Sequence, residues 1–145
     1  MKLKILSLIA FGTAVLGLAI LLYKDLVFSD NPITIAIQLF SVAFMIWARI
    51  TFGFRSFHAA ANTTKGKLIT NGPYRWLRHP IYAAVIYFSW ASVIAFPYLI
   101  TIGAVILING GLFIRMLLEE KSLRLTYDNY AEYSKRTKRI IPFLV

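Results

Sequence analysis

"NGPYRWLRHPIYAA", residues 71–84, joins a basic, aromatic turn to an apolar run that opens on a proline. Pro80 suits the first position of a helix, because it lacks the N–H that would be unpaired there in any case, so His79 is the expected N-cap. The run behind it is apolar enough to enter a bilayer. Arg75, Arg78 and His79 would then stand together at a membrane boundary, and the free amides of the first helical turn would face the same place.

Working outward, four apolar runs are visible: Ile5 to Tyr23, Pro32 to Ala48, Pro80 to Phe96 and Tyr98 to Leu118. With tilt and interfacial flanks, each is about long enough to cross a hydrocarbon core of roughly 30 Å, the second and third being the shortest. A chain that is 59% hydrophobic and only 15% charged lies outside the range of soluble globular proteins. These features predict an all-α, polytopic membrane protein of four transmembrane helices, with residues 1–145 forming one integral-membrane domain. The first run follows Lys2 and Lys4, is longer than a typical signal core and has no A-x-A cleavage pattern after it, so a retained anchor is expected. Cysteine is absent, which removes disulfides, thiolate metal sites, a cysteine nucleophile and lipidation through cysteine. No metal site is expected.

The net charge of +10 would raise nucleic-acid binding in a soluble protein. Here its distribution has another explanation. Lysine and arginine segregate to the N-terminus, the 49–79 segment and the tail 119–145, leaving Lys24 alone on the other face, so the positive-inside rule places both termini and that loop in the cytoplasm. Attraction to anionic membrane lipids is a second effect, and nucleic acid is not needed as a partner. The connection "FGFRSFHAAANTTKGKLITNG" is too long for a simple turn, and long ordered loops tend to be functional. Residues 50–61 read as an interfacial helix with Phe52, Phe57 and Ala60 on one side and Arg55 and His58 near headgroups. The sequon at 62–64 falls on the cytoplasmic side and has no assigned role. Beyond residue 118 the fourth helix is expected to continue, break near Asp128-Asn129, and give way to a short amphipathic cytoplasmic helix that stops before Pro142.

Two clusters have chemical potential. At the first, a helix N-terminus beside Arg78 offers a site for a carboxylate or phosphate, although a snorkelling arginine and an anchoring histidine explain the same residues. At the second, "RMLLEEKSLRLTYDNYAEYSKRTKRIIP", adjacent positions on a helix lie about 100° apart, so Glu119 and Glu120 are not expected to face the same partner. The spacing offers Arg115 with Glu119 and Glu120 with Arg124 as i,i+4 pairs, each worth a few tenths of a kcal/mol. The alternative sends one glutamate into a pocket to meet a cation or the hydroxyls of a ribose. Elsewhere, Ala10, Thr13, Ala14 and Gly17 give small-residue spacing suited to packing or to a homodimer, and Asn109-Gly110-Gly111 suits close helix packing.

Taken in order, "GPYRWLRHPIY" and "EEKSLRLTYDNYAEYSKRTKRIIP" resemble the signature of the integral-membrane methyltransferases typified by isoprenylcysteine carboxyl methyltransferase and the related phospholipid methyltransferases. The resemblance covers roughly residues 45 to 143 and leaves the first helix outside. It departs from the pattern at Tyr127-Asp128, where a phenylalanine and a glycine are expected. What it implies is S-adenosylmethionine as methyl donor, leaving as S-adenosylhomocysteine, at the cytoplasmic face. Arg78, His79, Pro80 and Tyr82 match the first motif; Glu119, Glu120, Tyr130, Tyr133, Arg139 and Pro142 match the second. On this view Arg78 and His79 receive the donor's carboxylate, a glutamate meets its ammonium or ribose, and Tyr74 or Tyr82 stacks on adenine. No glycine-rich dinucleotide loop is present to do this instead.

Methyl transfer from a sulfonium to a carboxylate cancels charge, so a dry site at a bilayer boundary favours it, and the protein's task is orientation. Arg55 and Arg115 are candidates to steer an anionic acceptor. His58, His79 or a glutamate would take the proton if the acceptor were an amine. The expected activity is carboxyl O-methylation of a lipophilic, isoprenylcysteine-like acceptor, with N-methylation of a phospholipid or small amine as the alternative. A non-enzymatic scaffold or lipid-binding module is the rival from another class. A transporter is disfavoured, because the central thirds of the runs carry no charge.

Overall fold

In the computed structural model, the residues described are 2–53 and 67–142. They form α1 (Lys2–Tyr23), α2 (Pro32–Phe52), a 3₁₀ turn (Gly72–Arg75), α3 (Pro80–Ala95), α4 (Leu99–Thr126) and α5 (Tyr130–Arg136). Among them no strand occurs, and one isolated parallel bridge joins Leu77 to Lys138. Three helices, Leu3–Tyr23, Pro32–Phe52 and Leu99–Thr126, are long and apolar enough to cross a membrane, whereas apolar α3 has 16 residues.

α1 and α4 run antiparallel in intimate contact. A Cβ on Gly17 would lie 2.5 Å from the Ala104 carbonyl oxygen, and one on Gly111 would lie 2.3 Å from that of Ala10. Only glycine permits that approach, which is how helices associate where lipid removes the hydrophobic drive between them. The small-residue spacing of α1 and the glycine at 111 therefore meet each other within the chain. The core beside this seam contains Leu21, Val105, Ile108, Leu112 and Met116, with Ile86 from α3.

α2 starts on Asn31, whose side chain accepts from the Ile33 amide at 2.9 Å, and Pro32 takes the first helical position. The helix extends four residues past the expected boundary at Ala48, so Ile50 to Phe52 form its last turn and do not begin an interfacial helix. Gly53, at φ 74°, ends it in a conformation that L side chains rarely adopt. The rest of that expected helix, with Arg55 and His58, lies outside the described residues. Gly72, at φ 55°, returns the chain against α2, where an added Cβ would meet Thr51 Oγ1 at 2.7 Å. Pro73 and Tyr74 are buried in the turn that follows.

α4 continues beyond its apolar run to Thr126, as its sequence predicted. The break at 127–129 closes with the Tyr130 amide donating to the Tyr127 carbonyl at 3.0 Å. Among the described non-glycine residues only Asp25 has positive φ, so Asp128 occupies its place without the freedom of a glycine. α5 ends at Arg136, earlier than expected, because Lys138 and Arg139 leave it to pair with the turn before α3.

Candidate functional site

Backbone bonds bring the two motifs together before any side chain does. The Lys138 amide donates to the Trp76 carbonyl at 3.0 Å, the Arg78 amide to Lys138 at 2.7 Å and the His79 amide to Arg139 at 3.1 Å. The Tyr133 hydroxyl reinforces the join by donating to the Tyr74 carbonyl at 2.8 Å, and the Tyr87 hydroxyl donates to the Ile140 carbonyl. His79 is the N-cap of α3 with Pro80 next to it, as expected, but its side chain does not cap the helix. The imidazole points at α4.

There Glu120, 4% exposed, gathers donors. Arg139 reaches it with both arms of its fork, Nε to Oε1 at 3.0 Å and Nη2 to Oε2 at 3.1 Å. His79 Nε2 lies 3.3 Å from Oε1, and Arg78 Nη1 lies 3.5 Å away. Bidentate, charge-assisted contacts of this kind are among the stronger ones available to a side chain. Hydrogen bonding to Glu120 also raises the Arg139 pKa further.

Glu119 faces the same histidine, with Oε2 3.7 Å from His79 Nδ1. The expectation that the two carboxylates would not share a partner is thus overturned: an imidazole has a nitrogen on each of two edges, and His79 sits between the glutamates. Glu119 also accepts from the Tyr82 hydroxyl and lies 3.5 Å from Arg115 Nη2, which realises the first expected i,i+4 pair. The second does not form. The Arg124 guanidinium lies over the Tyr130 ring at 5.7 Å, while Glu120 turns to Arg139, which reaches it from outside the helix with a planar fork.

Arg115, 4% exposed, donates from Nε to the Tyr82 hydroxyl at 2.8 Å, and its guanidinium lies 5.0 Å from the centre of the Phe11 ring on α1. Tyr82 stacks on His79 with ring centres 5.6 Å apart. Tyr74 packs on Phe52 at 5.4 Å. Both rings proposed to meet adenine are therefore engaged within the protein in this conformation.

Burial pushes the Tyr130 hydroxyl up to about 12, with the Glu120 charge adding to it, and pushes those of Tyr74 and Tyr133 higher. All three stay protonated donors at neutral pH. The charge and nearby guanidinium of Arg78 oppose that rise, while Arg78 Nε and the Tyr130 hydroxyl are each buried without a hydrogen-bond partner of full geometry among the described residues. Two orphaned donors beside one carboxylate are suited to a ligand that brings acceptor oxygens and a cation together. An α-amino acid group does this. Among the described residues no group of three His, Cys, Asp or Glu side chains is placed to hold a metal.

Of the residues picked out from sequence, Arg78, His79, Pro80, Tyr82, Arg115, Glu119, Glu120, Tyr130, Tyr133 and Arg139 converge on one end of the bundle, and Tyr74 supports it from beneath. Sequence reasoning missed Phe11, Tyr87 and the backbone of Lys138. A tyrosine inside an apolar run is a signal that was available for Tyr87, since its hydroxyl needs a partner there; nothing in the sequence marks Lys138.

The family model for the isoprenylcysteine carboxyl methyltransferase (ICMT) family matches residues 33–125, well over half of the chain. The match takes in the turn before α3 and both glutamates. It leaves out α1 and, unlike the resemblance seen in the sequence, the tail that bears Tyr130, Tyr133 and Arg139. No curated protein and no solved structure matches the chain.

Proposed function

The chain belongs to the isoprenylcysteine carboxyl methyltransferase family, and from that premise we propose that it is an S-adenosylmethionine-dependent enzyme that methylates the carboxylate of a lipophilic, isoprenylcysteine-like acceptor. The observation that carries this reading is the convergence of Arg78, His79 and Arg139 on Glu120, with two unpaired donors beside it. When bound, S-adenosylmethionine supplies a methyl group on a positively charged sulfur. Glu120 is the residue to hold its ammonium, and Arg78 Nε with the Tyr130 hydroxyl are the donors for its carboxylate. Arg115, buried one helical turn before Glu119, is the cation to orient the acceptor's carboxylate. The apolar run ending at Leu118 keeps bulk water from that carboxylate and leaves it more reactive. No side-chain nucleophile is required, because orientation is the protein's contribution.

Four crossings with both termini and the site on the cytoplasmic side complete the proposal. Support comes from α3, which begins at the charged cluster and ends at Ala95, where residues 96–98 join it to the end of α4 far from the glutamates. Support for orientation comes from Lys121, Arg124, Lys135, Arg136 and Lys138, which flank the cluster.

Calorimetric titration of the detergent-solubilised, folded protein with S-adenosylhomocysteine tests the donor site; heat of binding is expected, and its absence rejects the proposal. Incubation with methyl-labelled donor and N-acetylated farnesylcysteine tests the acceptor. A base-labile labelled product supports a methyl ester, whereas no labelled product from the farnesylcysteine, together with base-stable label on an aminophospholipid supplied in its place, replaces that reading with N-methylation.

A further inference from the structure

We propose that Phe11 is a positioning residue for methyl transfer, and that α1, which the family match omits, is part of the catalytic machinery as well as a membrane anchor. The inference rests on the function proposed above and assigns a side chain that helps to hold Arg115 in place. Arg115 is a buried cation whose neighbours differ on its two sides. Toward α3 and its own helix it meets the Tyr82 hydroxyl and Glu119, both in contact with His79 or its ring. Toward α1 it meets the face of Phe11, 5.0 Å from the ring centre.

An aromatic face attracts a guanidinium through its quadrupole, and the attraction strengthens where water is excluded. Unlike a second carboxylate, it does so without adding negative charge beside Arg115. The height of the ring over the guanidinium is fixed by the α1–α4 seam. Gly111, one turn before Arg115, lies so close to Ala10 that an added Cβ would stand 2.3 Å from its carbonyl oxygen. Phe11 follows Ala10 directly, so this contact sets where its ring lies. A chain of contacts then runs from α1 through Phe11, Arg115, Tyr82 and Glu119 to His79. Displacing the first member frees Arg115 to swing away from the acceptor while leaving the Glu120 end, where the donor binds, in place.

The test compares Phe11→Leu, which keeps an apolar side chain of similar bulk, with Phe11→Tyr, which keeps the aromatic face, in the full-length protein in detergent or nanodiscs. Phe11→Leu is expected to lower kcat/KM for the farnesylcysteine acceptor about tenfold, between the scales of exposed and desolvated cation–π contacts because Arg115 is buried while Phe11 is 41% exposed, with S-adenosylhomocysteine affinity within twofold of wild type. Phe11→Tyr is expected to stay within threefold of wild type. In an Arg115→Lys background, Phe11→Leu should cause no further loss, because the two residues act as a unit. Wild-type kinetics in Phe11→Leu, equal losses in Leu and Tyr, or additive losses in the double variant would each overturn the inference. A wild-type protein that neither binds S-adenosylhomocysteine nor transfers methyl would instead overturn the function on which it rests.

Discussion

Replacing Glu120 with glutamine keeps the shape of the side chain and removes its charge, and the structure sets the scale of the consequence. The carboxylate is almost fully buried and accepts two guanidinium bonds at 3.0 and 3.1 Å, with His79 at 3.3 Å. Charge-assisted hydrogen bonds contribute about 1.5–3 kcal/mol each. Arg139 is about one-third exposed, so its two bonds belong at the low end of that range. The glutamine amide also turns a donor toward a cation, and Arg78 loses its counter-charge. Removing one partner from a buried pair costs roughly 3–5 kcal/mol, and the exposure of Arg139 brings the expectation here to about 3 kcal/mol. For a chain of this size that corresponds to a melting point roughly 6–12 °C lower. Wild type and Glu120→Gln, compared in one detergent at one scan rate by tryptophan fluorescence, supply the measurement, and a titration with S-adenosylhomocysteine should show binding weakened at least tenfold. Melting within a degree of wild type would refute the inference that these bonds hold the cluster together. Intact binding in a variant that does melt early would remove Glu120 from the donor site alone.

Tyr133→Phe should destabilise the protein by about 1–2 kcal/mol, since it leaves the Tyr74 carbonyl without that donor; chemical denaturation in mixed micelles reads this. Gly111→Leu should prevent α1 from docking, reducing the yield of folded monomer on size exclusion, because its Cβ has no room beside Ala10. Arg124→Gln should bind S-adenosylhomocysteine like wild type, while Arg139→Gln weakens it several-fold; the reverse order would restore the helix-surface pair that the structure replaces. Since the chain lacks cysteine, single cysteines at Ser29 and Lys135 report crossings directly. They should label with impermeant maleimide from opposite sides, and labelling from one side would mean that α3 does not span.

The fold was largely legible because apolar run length, proline at helix starts and glycine at close contacts are local signals. His79 as N-cap and the break after Thr126 follow from Pro80 and Asp128-Asn129 without reference to the rest of the chain. The glutamates were less legible. Spacing on one helix offers Glu120 a neighbour in Arg124, and only tertiary structure brings Arg139 from nineteen positions away with a better-shaped donor. Phe11 was invisible for a similar reason: on α1 it is one apolar residue among many, and its meaning depends on Arg115 lying across a helix seam. The end of α2 is hard to read from sequence because Arg49 looks like a boundary charge, while the residue that stops the helix is Gly53.

In the four-crossing topology proposed above, α3 accounts for such a network. Its 16 residues span about 24 Å, short of a hydrocarbon core of roughly 30 Å. Crossing as proposed, a helix that short would draw the turn before it into the boundary region instead of letting it reach water. Arginine and histidine brought to that depth lose hydration, and charges there are tolerated when paired. α4 meets the need because it outruns α3 and brings Glu119 and Glu120 to the level of His79. Arg78 and His79, just before Pro80, are thus understandable only together with two carboxylates forty positions later. In that topology the same short helix that makes the charges costly to leave unpaired also keeps their surroundings dry, which is what the proposed reaction between a sulfonium and a carboxylate needs. Lengthening α3 to a comfortable span would relieve the first condition and, with it, the second.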